Sequence, residues 1–75
     1  MIPGRAMLRL TRLREERGWS RAELARRAKI YPTDVGKIER GKLVPYPGQL
    51  RRLARALGHD GAPEELLTEH TIHAA

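Results

Sequence analysis

Along the chain, apolar residues fall three and four positions apart with charged residues between them, the spacing that gives a helix one buried stripe. Met7, Leu10 and Leu13, with Leu8 nearby, mark such a stripe, while Arg5, Arg9, Arg12, Glu16 and Arg17 occupy other positions. Gly18 can take the left-handed turn that ends a helix, so a first helix is expected over 5–17. Ser20 and Glu23 have capping-box spacing, the hydroxyl serving the N–H of residue 23 and the carboxylate returning to that of Ser20. Trp19 and Leu24 stand where a hydrophobic staple would fix the angle of entry. The second helix is expected over 21–28, with Leu24, Ala25 and Ala28 inward. Pro32 suits the first turn of a third helix over 32–39, where Val35 and Ile38 face the core and Gly41 ends the element. Residues 41–48 carry loop punctuation. A fourth helix follows over 47–57, with Leu50, Leu53, Ala54 and Leu57 inward. Pro63, Glu64 and Glu65 open a fifth helix reaching about His70. No strand is expected. The pattern predicts an all-α fold of five short helices in one domain, its core at about 5–70 and its ends frayed.

Composition narrows the functional classes. The chain has 75 residues, 40% of them apolar, with no Phe, one Trp and two Tyr, so the core must come from Leu, Ile, Val and Ala. A unit of this size buries only about 60–65% of its unfolded surface and leaves little room for a catalytic pocket. The absence of Cys removes disulfides, thiol catalysis and Cys-based zinc sites. No activated-nucleophile pattern, Gly-rich phosphate loop or paired-carboxylate arrangement is visible, so an enzyme is not expected and no cofactor is implied. No apolar run approaches the roughly 20 residues of a membrane span, and no signal-peptide core is present, which points to the cytoplasm. His70 and His73 stand three apart beside Glu69, yet without converging ligands they read, with His59, as surface histidines rather than a metal site.

Charge is informative through its distribution. Residues 1–58 hold all 15 Lys and Arg against five acids, a net of +10, whereas residues 59–75 hold four acids and no Lys or Arg. Such a division fits a polyanion-binding body with a segment turned away from the polyanion, and it also fits a solvated Arg-rich surface. Organisation separates the two. The second and third helices, joined by a tight turn, span about 20 residues, the spacing of a helix-turn-helix whose second member lies in the DNA major groove.

The order of residues then carries a family resemblance. Trp19 to Ala25 (Trp-Ser-Arg-Ala-Glu-Leu-Ala), Val35 to Lys42 (Val-Gly-Lys-Ile-Glu-Arg-Gly-Lys), Pro45, and Leu50 to Gly58 (Leu-Arg-Arg-Leu-Ala-Arg-Ala-Leu-Gly) occur together at family spacing. Over about residues 8–68 the chain resembles the phage-repressor and Cro-like helix-turn-helix proteins, with a compact lambda-repressor-like fold. Lys29 stands where that family usually has a turn glycine, which implies positive φ at a non-glycine residue, at a cost on the order of 1 kcal/mol. Gly36 lies inside the recognition helix, and Pro32 replaces a position often held by a base-reading polar side chain.

The resemblance implies sequence-specific double-stranded DNA binding by a small transcriptional regulator, most simply a repressor acting by operator occupancy; the DNA-binding part of a longer repressor would look the same. Base contacts are implied at Tyr31, Pro32, Thr33 and Lys37, with Thr33 facing a base or thymine methyl and Lys37 facing guanine. Asp34 could accept from cytosine, but its place near the helix start favours a local cap. Phosphate contacts are implied at Arg21, Arg40 and Lys42, with Lys29 added on charge. Arg14 matches a family arginine that pairs with Glu39 and leans towards phosphate. Arg51, Arg52 and Arg55 read as a solvated face, since nothing in the sequence places the fourth helix against a duplex. A homodimer on DNA is expected, with Leu66, Leu67 and Ile72 as its candidate surface; closing the chain's own core is the competing role for Leu66 and Leu67. The alternative is an antitoxin or adaptor that uses the same fold for protein contact. A membrane-surface role is disfavoured because the helices lack bulky apolar faces.

Overall fold

The computed structural model describes residues 5–72, with side chains described for 7–69. Four α-helices, α1 (Arg9–Glu16), α2 (Arg21–Ala28), α3 (Pro32–Glu39) and α4 (Pro47–Leu57), enclose one core. A 3-10 turn, Pro63–Leu67, packs on α1 and α4, and two short strands, β1 (Arg5–Leu8) and β2 (Glu69–Ile72), pair antiparallel. Their register sets Arg5 opposite Ile72 and Leu8 opposite Glu69.

The core consists of Leu10, Leu24, Ala25, Ala28, Val35, Ile38, Leu50, Leu53, Ala54, Leu57 and Leu66. Every inward position expected on the second, third and fourth helices is buried there. These three elements begin and end where the capping chemistry predicts. Ser20 Oγ accepts from the Glu23 N–H at 3.0 Å, the forward half of the capping box. The return half does not form: the Glu23 carboxylate binds Arg26 and Arg27 instead, and those hydrogen bonds hold it below its usual pKa.

The ends of the chain correct the all-helical expectation. The first helix starts at Arg9, four residues later than its periodicity implies, because 5–8 is strand. Met7 is buried, as a helical stripe requires, but one apolar residue beside a helix satisfies either periodicity, and the partner that selects strand lies more than sixty residues away. The expected fifth helix is a five-residue 3-10 turn, because the chain turns extended at Thr68 to pair with β1. At that junction the Arg9 N–H, which has no acceptor within α1, donates to the Thr68 carbonyl at 2.8 Å.

All four helices end in the same way. The two N–H groups after the last turn donate back to carbonyls three and five residues earlier, at Gly18–Trp19, Lys29–Ile30, Gly41–Lys42 and Gly58–His59. This geometry needs a left-handed residue, supplied by glycine at three ends and by Lys29 (φ 59°, ψ 47°) at the end of α2. Lys29 is the sole non-glycine residue with positive φ among the described residues, as its place in the family pattern implies.

Candidate nucleic-acid interface

α3 lies against α2 with Val35 and Ile38 sealed beneath it, which turns Thr33, Lys37 and Arg40 outward. Its first turn projects Tyr31, 77% exposed, and Pro32. The four residues expected to meet bases, Tyr31, Pro32, Thr33 and Lys37, are thus all exposed on one protruding element. Gly36 shapes the same face. Its missing side chain leaves a bed on which the Arg40 guanidinium rests, with Nη1 3.3 Å from where a Cβ would sit.

The expected acid on this face is withdrawn from it by the fold. Tyr31, not Asp34, is the N-cap of α3, and no side chain caps it. The Asp34 carboxylate accepts from Gln49 Nε2 at 3.3 Å, while Gln49 Oε1 accepts from the Tyr46 N–H at 3.3 Å. Gln49 is buried, so this short chain of bonds ties the first turn of α3 to the start of α4. Sequence reasoning passed over Gln49. Its signal was a polar residue on the inward flank of the fourth helix, next to Leu50.

At the other end of α3 lies a buried ion cluster. Arg14, 8% exposed, donates through Nε and Nη2 to the two oxygens of Glu39 at 2.7 and 3.1 Å, and through Nη1 to the Trp19 carbonyl at 2.8 Å. Arg21 Nε donates to Glu39 Oε1 at 2.8 Å, and the Glu39 side chain is 2% exposed. One carboxylate therefore locks the end of α3 to α1 and to the first residue of α2. The pairing of Arg14 with Glu39 matches the resemblance. Each terminal nitrogen of Arg14 makes a bond within the protein, while Arg21, on the same carboxylate, is half-exposed. Lys29, Arg40 and Lys42 are exposed.

Of the candidate dimer residues, Leu66 and Leu67 pack on the chain's own core. Leu66 is completely buried in the chain's own core, and Leu67 packs partly against it. Ile72 pairs through its backbone with Arg5, and its side chain lies outside the described residues, as do the side chain of His70 and all of His73. His59 faces the Ala62 carbonyl and Glu65, at 3.1 Å each. Among the described residues, no group of three His, Asp or Glu side chains could hold a metal ion, and no helix is long and apolar enough to cross a membrane.

Two helices crossed over a tight turn, the second exposed along its outer face and ringed by cations, define a helix-turn-helix module. A family model described as a helix-turn-helix domain matches residues 8–67, and the chain belongs to that family, of the repressor- and Cro-like type. Domains of this family are DNA-binding and typically non-enzymatic. No curated protein and no solved structure matches the chain.

Proposed function

We propose that the chain is a sequence-specific regulator that lays α3 in the major groove and represses by occupying its operator. The observation that carries this reading is the charge state of the protruding element. Thr33 and Lys37 face outward, Arg21, Arg40 and Lys42 surround them, and both nearby acids are engaged, Asp34 by Gln49 and Glu39 by two arginines. A polyanion meets donors there without an opposing free carboxylate. In this reading Tyr31, Pro32, Thr33 and Lys37 contact bases, while Arg21, Lys29, Arg40 and Lys42 contact phosphate. Four phosphate contacts per monomer give log K falling with log salt at a slope of about −4, doubled for a dimer on half-sites about 34–36 Å apart.

A second reading, a protein-docking module on the same fold, draws on Pro32 and Gly36, which leave the reading face with few base-directed donors. Selection from random duplex DNA at physiological salt separates the two. The regulator enriches one short palindrome, whereas a docking module enriches none and binds only in dilute buffer. Within the regulator, Lys37→Ala relaxes preference at particular base pairs by about 1–3 kcal/mol, and Arg21→Ala weakens all sequences alike. Identical profiles for the two variants would contradict the roles assigned here.

A further inference from the structure

Beside the recognition element lies a cleft of about 270 Å³ between the end of α2 and the outer side of α4, lined by Arg27, Ala28, Lys29, Arg52, Arg55 and Ala56. No acid lines it. Arg27 is fixed there, paired with Glu23 at 2.6 Å and stacked on the Trp19 ring at 4.2 Å from its centroid. Among the described residues, the side chains of Lys29, Arg52 and Arg55 have no hydrogen-bond or ion-pair partner. Three cations thus converge on one concave surface that no carboxylate lines.

Position gives the cleft its ligand. Lys29 and Arg52 also line the adjoining cleft with Tyr31, Tyr46 and Asp34, the last held by Gln49, so the two cations form a ridge that continues from the start of α3. In the DNA-binding reading, a duplex seated on Tyr31, Thr33 and Lys37 would carry its backbone past that ridge. The backbone of Lys29 provides an independent reason. Glycine serves the other three helix ends without strain, yet here a lysine is held left-handed, and strain of this kind concentrates where function requires it.

The geometry points to a phosphodiester-binding cleft formed by Lys29, Arg52 and Arg55, which grips the DNA backbone beside the groove that α3 enters. This rests on the DNA-binding reading above and adds α4 to the contact surface, where sequence alone left a solvated face.

The experiment measures salt-dependent binding of the full chain to its selected duplex for Arg52→Gln, Arg55→Gln, Lys29→Gly and the control Arg51→Gln. Arg51 lies on the same helix, is exposed, and does not line the cleft. Each of the three cleft variants should make the log K–log salt slope shallower by about 0.9 and weaken all sequences equally, while Arg51→Gln leaves the slope unchanged. Lys29→Gly should do so while melting at a higher temperature than the parent, which separates lost contact from lost folding. If Arg51→Gln matches the cleft variants, bulk charge explains the effect and the cleft is not a site. If all four retain the parent slope, the cleft inference fails and the DNA-binding reading survives. A parent chain that binds no duplex at any salt overturns both.

Discussion

The α2–α3 half of the molecule and the segment from His59 to Ile72 both cover a side of the same small core, with opposite materials. The first is cationic, and each helix in it is started and stopped by residues within a few positions of its ends: Ser20, Pro32, Lys29 and Gly41. The second carries four acids and no Lys or Arg, and is held by Leu66 with Leu67 partly beside it, an ion pair between Arg9 and Glu65, a junction hydrogen bond and a four-residue ladder to the opposite end of the chain. A recognition surface must keep its side chains in place without spending them on one another. The first half does so by sinking Glu39 beneath the exposed cations, where it pairs with the buried Arg14 of α1. The second half has no such demand and closes the fold through backbone pairing.

That contrast can be broken most severely at Glu39. Glu39→Ala leaves the buried Arg14 guanidinium with only the half-exposed Glu15, at 3.7 Å, as counter-charge, a loss of about 3–5 kcal/mol in a domain of modest stability. Urea denaturation followed by circular dichroism should show the variant largely unfolded; a change below about 1 kcal/mol would mean that the cluster is not what fixes α3.

The closing half is tested at Leu66. Truncation to Ala opens a cavity and costs about 2–5 kcal/mol. Because Leu66 is buried within one chain, the loss should be independent of protein concentration. A concentration-dependent loss would place this leucine between two copies instead.

The smallest effect falls at the end of α2. Lys29→Gly relieves a left-handed non-glycine residue and should raise stability by about 1 kcal/mol, read as a higher urea midpoint at unchanged slope. A lower midpoint would show that the lysine side chain contributes more through packing than its backbone costs.

What the sequence made legible follows the same division. α2, α3 and α4 were readable to the residue because Ser20, Pro32, Gly41 and Gly58 act locally, within one turn of the element they delimit. The left-handed Lys29 and the Arg14–Glu39 pair were readable only through resemblance, since nothing local demands either. The strands were hidden because Ala6-Met7-Leu8 and Thr71-Ile72 are apolar or β-branched runs of three and two, too short to set a period; only their pairing makes them strands. The cationic cleft was hidden because Lys29 and Arg55 lie 26 positions apart, and each alone is indistinguishable from a solvated surface charge.

The ladder also sets how the protein would yield to tension. With Arg5 opposite Ile72 at its outer rung, a pull applied between the two ends loads one backbone pair at a time, so the ladder peels open like a zipper. The Arg9–Thr68 bond then takes the strain as the last rung, and the helices beneath remain docked at forces that have already freed both tails.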